Sequence, residues 1–338
     1  MPGSRLPDPR APRRSAEWLV ERGIGEDRAI LVERGEVRAA RLHRPGRLAA
    51  GLVADAKLIA RTAGARRGTL LFDNGEEALV DGLAPDAREG ASLRAVVTRA
   101  ALAETGRYKR AQARPTSDPL RPAPDLVQAL QTDGVPVRTV RRFPDDPWPE
   151  IIEEAFTGTV AFAGGDLLIS PTPAMTLIDI DGALPLTPLA MAAVPAIART
   201  LTRLDLAGSI GIDFPSIESR ADRRTLDDTL AQALADWPHQ RTAMNGFGFV
   251  QLVSRLERPS ILAQVHHEPH LAGAMLLMRR AEDVNAPGAL LASAHPQVIA
   301  AVRPAWREEL ARRAGRTITW RADNALAPLG GFAQALSS

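Results

Sequence analysis

The sequence predicts a multidomain protein of the mixed α+β / α/β class, and three stretches carry that expectation. From about Leu48 to Arg114, short apolar runs (AKLIART, GTLLFD, EALVDGL, SLRAVVTRA) are separated by Gly, Asp and Asn, with no long helix. This is the texture of a small OB-type β-barrel. From Gly164 to Phe214, two apolar runs flank one amphipathic segment, the pattern of a strand–helix–strand unit. From Ala286 onward, a helical stretch precedes the strand RTITWRAD, a small α+β unit.

Composition narrows the class further. A chain of 338 residues can bury a sizeable core and divide into about two or three modules. The formal net charge of +2 gives no bulk electrostatic case for nucleic acid. Lysine occurs only at Lys57 and Lys109, so nearly all positive charge is arginine. The absence of cysteine excludes disulfides, thiolate metal sites and thiol nucleophiles, and fits a reducing compartment. There is no apolar run of the roughly 18 residues a membrane helix needs, and the N-terminus (MPGSRLPDPRAPRRS) lacks an apolar signal core. The expectation is a cytoplasmic protein with no membrane partner.

In chain order, residues 1–16 are rich in Pro and Arg, and 1–25 is assigned as a disordered tail. AILVERGEVRAARL (residues 29–42) reads as a hairpin turning at Arg34–Gly35. The barrel is assigned to 48–115. Ala113–Asp125, ARPTSDPLRPAPD, reads as a Pro-rich linker. Val127–Leu130 is expected to be helical, Val135–Val140 a strand and Pro147–Phe156 a helix with acids in its first turns. In the next unit, 158–283, Met175–Ile180 and Ser209–Phe214 are the two strands. The helix between them has Thr187 as expected N-cap and Pro188 at the first position. Its apolar residues Ala190, Val194, Ile197, Leu201 and Leu204 recur at helical spacing. Ala221–Trp237 reads as a helix, Phe247–Arg255 as a strand and His270–Asp283 as a helix. The final unit, 286–338, holds a helix over Pro296–Ala314. There is no internal repeat.

The chemistry lies where the two strands end. Asp179 and Asp181 close the first apolar run and Asp213 the second. Parallel neighbouring strands would bring these acids together at their carboxyl ends, where open α/β sheets place sites. At roughly 5 Å and an effective dielectric near 20, each pair repels by about 3 kcal/mol. A proton or a cation must then sit among them, and Mg²⁺, which takes oxygen ligands and keeps several waters, is the natural guest. Acids capping loops after a strand are the plain alternative. Elsewhere, the His266–His270 run (HHEPH) is interrupted by Pro269, and Gly164–Gly165 fits a strand-entry turn. NGFGF (Asn245–Phe249) reads as core strand rather than as a base-stacking platform. Arg220, Arg223 and Arg224 open the helix after Asp213 and could meet phosphates or only solvent. Arg67 and Lys109 belong to a basic barrel surface with the same two readings.

These residues resemble the catalytic core of the ribonuclease E/G family. AMTLIDID, RTLTRLDLAGSIGIDF and FGFVQLVSRLERPS are similar to its Thr-Glu-Ala-Leu-Thr-x-Ile-Asp-x-Asn strand, its Arg-x-Leu helix with an Ile-Asp-Phe strand, and its Phe-Gly-Leu segment ending on Arg, here Arg255. The likeness extends over about 26–325 and is most specific in 174–255. It implies an RNase H-like subdomain from 26–47 and 120–157, an inserted OB-type RNA-binding domain, a DNase I-like catalytic subdomain and a small C-terminal domain. It also implies a Mg²⁺-dependent endoribonuclease acting on single-stranded RNA in processing or decay. The family's metal-binding aspartates match Asp179 and Asp213, with Asp181 as a third candidate ligand, and Arg220, Arg224, Arg255, Arg67 and Lys109 as candidate RNA contacts.

The chain also departs from that pattern. Asp181 stands where the family has Asn, and Pro173 where it has Glu. Ala190 and Ala192 replace an Asn and a Glu that open its helix. Only the Pro-rich linker occupies the place of its 5′-monophosphate sensor, and without cysteine there is no zinc-linked oligomer. Its barrel aromatics fall on Leu71 and Leu79, with Phe72 on the opposite face. A homo-oligomer is allowed but not indicated. Two functions of different class follow: a compact ribonuclease E/G-like endonuclease, or a non-catalytic RNA-binding protein that kept the fold. Hydrolysis of another phosphodiester, such as DNA, is the alternative within enzymes.

Overall fold

A computed structural model describes residues 16–104 and 107–336, apart from the side chains of 103–108; the tail expected over 1–15 lies outside them. The chain enters directly into strand β1 (Glu17–Arg22), which pairs antiparallel with β2 (Asp27–Glu33), itself paired with β3 (Glu36–His43). Arg34 and Gly35 both take positive φ, +54° and +85°, as the tight turn between right-twisted strands requires. The expected tail over 1–25 is therefore corrected: Trp18, Leu19 and Val20 are buried. Both faces of β1 are covered, so it lacks the in–out alternation that marks a half-buried strand.

The barrel follows: β4 (Val53–Arg61), β5 (Arg67–Leu71), β6 (Glu77–Asp81), β7 (Ser92–Arg99), the short hairpin β8 (Leu102–Glu104) and β9 (Arg107–Lys109), and β10 (Ala111–Pro115). Strands β10-β6-β5-β4-β7 close on themselves around Leu58, Leu70, Phe72, Val80, Leu83 and Val97. The segment expected to begin a linker at Ala113 instead completes this closure, because Ala111 and Ala113 face inward at the crowded seam.

Helix α1 (Leu126–Gln131) starts at a capping box between Asp125 and Gln128 and leads to β11 (Val137–Thr139). That strand pairs parallel with β1, giving a sheet of order β11-β1-β2-β3 with the barrel inserted between β3 and α1. Helix α2 (Trp148–Thr157) ends at Gly158, whose φ of +67° makes the left-handed cap.

The largest sheet comprises β12 (Thr159–Phe162), β13 (Gly165–Pro171), β14 (Thr176–Gly182), β15 (Gly208–Asp213), β16 (Gln240–Arg241) and β17 (Phe249–Ser254), in the order β12-β13-β14-β15-β17-β16. Only β14 and β15 run parallel within it, joined by helix α3 (Leu186–Arg203); α4 (Arg220–Ala233) joins β15 to β16. The cap of α3 is Pro185 and not Thr187, so the helix begins one residue before the Thr187–Pro188 signal. Its residues Ala190, Val194, Ile197 and Leu201 are buried between this sheet and β3.

Helices α5 (Ile261–His267) and α6 (Pro269–Glu282) follow, then β18 (Leu290–Ala294), α7 (Pro296–Ala301), α8 (Pro304–Ala314), β19 (Ile318–Ala322) and β20 (Phe332–Ala335). The single helix expected over Pro296–Ala314 is two helices, because Val302 and Arg303, the residues before Pro304, are extended. One core joins the inner face of the large sheet, α2 to α5 and part of the first sheet. Helix α6 sends Ala272 and Leu276 into that core, and Ala274, Leu277 and Met278 into the C-terminal one. Among the described residues no helix is long and apolar enough to cross a membrane.

Candidate active site

The two faces of the large sheet differ in kind. Ile178, Ile180, Ile210 and Ile212 point inward and are buried. By the two-residue period, Asp179 and Asp181 point outward from β14 and Asp213 from β15. Asp179 and Asp213 are partners in the parallel register, so their side chains rise side by side from adjacent strands. Asp213 is the last residue of its strand, while β14 continues past Asp179 to Gly182. Asp181 lies one step further along, opposite Asp166 of β13, which adds a fourth outward acid. The sequence reading missed Asp166; the signal is the Gly164 turn, where φ of +105° folds the alternating run DLLIS back beside β12, leaving its other edge to pair with β14.

These carboxylates are open to solvent. One oxygen of Asp179 accepts from the N–H of Ile180 at 3.0 Å, and one of Asp181 from Gly182 at 2.8 Å. The Asp213 carboxylate has no hydrogen-bond or ion-pair partner among the described residues. Among those residues no three His, Cys, Asp or Glu side chains gather into a metal-holding cluster. Asp181 therefore does not complete a preformed three-carboxylate cage with Asp179 and Asp213. Two adjacent carboxylates with free oxygens, facing water, are a donor set that suits a hydrated hard cation such as Mg²⁺.

Beside the pair, Gly211 leaves room for the Phe249 ring and Leu177. A Cβ there would come within 2.5 Å of the first and 2.9 Å of the second. Phe249 is in register with Asp213 and only half buried, and Phe247 is 83% exposed. The core-strand reading of NGFGF is thus corrected: Asn245–Gly248 is a turn, and β17 starts only at Phe249.

Arg220 and Arg224 are exposed on the first turns of α4, one helical turn apart, and neither has an acidic partner among the described residues. Arg223 instead folds back onto the carbonyls of Ile217 and Glu218, holding the loop that follows Asp213. Arg255 is not brought to this end. β15 and β17 are antiparallel, so Arg255 follows Ser254 at the opposite edge, where it pairs with Glu257 at 3.1 Å. Arg67 is on barrel strand β5 and Lys109 on β9, in the separate β8–β9 hairpin. Arg67 faces Asp81 at 3.4 Å, Arg94 pairs with Asp55 and Arg110 with Glu77, so much of the barrel's basic surface is neutralised locally. Leu71 and Leu79 lie exposed and Phe72 is buried inside the barrel.

Two replaced positions look inward or away. Ala190 is fully buried against the sheet, and Pro173 lies in the turn before β14, held by Thr172. His266 and His270 fall on separate helices because Pro269 starts α6. A cleft of about 1030 Å³ is lined by β3, the barrel, α1, α5, α6 and α8, and includes neither carboxylate of the pair. Its arginines are largely spent on acids: Arg44 and Arg47 on Glu268, Arg41 and Arg258 on Asp205.

Paired outward carboxylates on a helix-backed sheet, with an arginine-opened helix after the second strand, have the chemistry to meet a phosphate-bearing ligand. Residues 147–255, from the cap of α2 to the residue after β17, match the model of the ribonuclease E/G family. The matched segment holds Asp179, Asp181, Asp213, Arg220, Arg224 and Arg255. No curated protein matches the chain.

Proposed function

We propose that this protein is an endoribonuclease that cuts single-stranded RNA, with Asp179 and Asp213 holding a Mg²⁺ ion. The observation that carries the reading is the parallel register of the two acids, inside the segment that matches a ribonuclease family. What Mg²⁺ supplies when bound is Lewis acidity toward a phosphodiester oxygen and an activated water. The protein's own residues do the rest. The β14–β15 ladder fixes the spacing of the carboxylates, and their free oxygens face the solvent from which a strand would arrive. Arg220 and Arg224 stand where they can neutralise phosphates flanking the cut. On this reading the barrel is an OB-type RNA-binding module, the first sheet with α1 the RNase H-like part and the large sheet the DNase I-like part. Arg67 and Lys109 contribute general attraction and Arg255 a contact outside the cleavage centre. Asp181 carries a supporting charge.

A second reading rests on Pro173, Ala190 and Ala192: the fold is kept for RNA binding without cleavage. One assay separates them. An unstructured, internally labelled RNA is incubated with Mg²⁺ or EDTA and with wild type or Asp213→Asn. Cleavage to 5′-phosphate and 3′-hydroxyl ends should need Mg²⁺ and fall by at least about 100-fold in the variant, since losing a metal ligand removes several kcal/mol of charge stabilisation. Equal cleavage by both proteins would overturn the metal assignment. Retention of intact RNA by a wild type that does not cut would establish the second reading, and equal cutting of DNA would widen the substrate.

A further inference from the structure

We infer that Phe247 is a stacking platform for one base of the bound strand, next to the carboxylate pair. This inference rests on the proposed single-strand substrate and adds how that substrate is gripped. Among the described residues Phe247 is the most exposed of the large apolar side chains, at 83%. A ring in that position is normally explained by a loose loop, and this loop is not loose. The side-chain oxygen of Asn245 accepts from the N–H groups of both Phe247 and Phe249, at 2.9 and 3.0 Å. The Asn245 N–H donates to the Phe249 carbonyl at 3.1 Å, and the Gly248 N–H to the Asn245 carbonyl at 3.2 Å. Gly248, at φ +90°, presses against the end of β15: its carbonyl accepts from Phe214, and a Cβ there would meet the Phe214 oxygen at 2.7 Å. The turn is thus fastened to the residue that follows Asp213.

Geometry places the ring beside the chemistry. Phe249, two residues on, is in register with Asp213, so Phe247 stands just beyond the carboxylate end of the sheet. An aromatic face is the one surface that accepts any base, because every base has a π-face. Arg220 and Arg224, opening α4 after the same strand, present cations for the backbone that the stacked base belongs to. Aromatic ring, paired carboxylates and free guanidiniums around one strand end fit a single-stranded nucleic acid better than a protein surface, which would not need the acids.

The test is an abasic scan. Binding of a short unstructured RNA is measured without divalent cation, so that nothing is cut, with single abasic nucleotides placed in turn at every position. Wild type, Phe247→Ala and Phe247→Trp are compared. One abasic position should weaken wild-type binding by roughly 5- to 100-fold, the range base–aromatic stacking commands. Phe247→Ala should weaken intact RNA by a similar factor and be indifferent to that same position, while Phe247→Trp should keep both the affinity and the sensitivity. A merely structural role for Phe247 cannot produce that coupling. Weakening without coupling at any position, or unchanged binding in Phe247→Ala, would overturn the inference whether or not the protein cleaves RNA. Coupling in a protein that does not cleave would uphold it while the nuclease reading fails.

Discussion

At the scale of single residues, His43 shows how the fold sets a charge. It lies half buried on β3, opposite Asp27 of β2. Burial holds its imidazole below the ordinary value of 6.5, while Asp27 and Asp125 pull the other way. Asp27 is itself raised by burial, with Arg22 and His43 opposing. A base whose folded value is lowered binds its proton more readily when unfolded, so its contribution is whole above about pH 6.5 and is lost as pH falls. Thermal unfolding should therefore occur at lower temperature at pH 5.5 than at pH 7.5, and His43→Gln should flatten part of that slope; an identical slope would refute the assignment. Asp179, Asp181 and Asp213 were legible in sequence because each closes an apolar run whose alternate residues are buried isoleucines, whereas Asp166 opens its strand and was not. Phe247 was not, since GFGFV has the composition of a strand, and only the hydrogen bonds of Asn245 reveal that the chain turns there.

At the scale of elements, most of the chain was readable from periodicity and the errors cluster at ends. Thr187–Pro188 looked like a cap but lies inside α3; Arg303–Pro304 looked continuous but breaks a helix; Ala113–Pro115 looked like linker but is barrel wall. The last was settled by pairing distant in sequence, of β10 with β6. The junction of α2 with β13 is another contact between elements. Gly158 has a left-handed φ of +67°, its carbonyl accepts from Ile169 at 2.6 Å, and a Cβ on it would stand 2.5 Å from the Ile169 oxygen. Gly158→Ala should cost at least about 1–2 kcal/mol in urea unfolding from the left-handed backbone alone, with more from the collision. A neutral result would mean that α2 and β13 separate freely.

Across the whole molecule, buried charge ties the units together. Glu21 on β1 accepts two hydrogen bonds from Arg279 on α6, both at 2.9 Å, and one from the Phe143 N–H at 2.6 Å, with Arg28 of β2 at 3.4 Å. The side chains of Glu21, Arg28 and Arg279 are each 2% exposed. Removing one partner of a buried pair typically costs about 3–5 kcal/mol. Glu21→Gln should fall near the lower figure, because Glu26 still faces Arg28 and Asp146 still faces Arg279. Equilibrium unfolding measures this, and a loss below about 1 kcal/mol would show that the cluster does not hold the molecule together. No local pattern could disclose the cluster, since Phe143 and Arg279 reach Glu21 from 122 and 258 residues away. The same distance explains why β1 passed for a tail: beyond its pairing with β2, it is covered by α1 and tied to α6 through Glu21.

The parallel pairing of β14 with β15 has a cost as well as a use. It is the one parallel step in its sheet, and it sets two like charges directly opposite each other, an arrangement that weakens a strand pair. The sheet closes in spite of its acids, driven by the isoleucines on its other face. Selection for stability alone would neutralise one of the two aspartates; under the proposed function, their joint presence is a trade of robustness for reactivity.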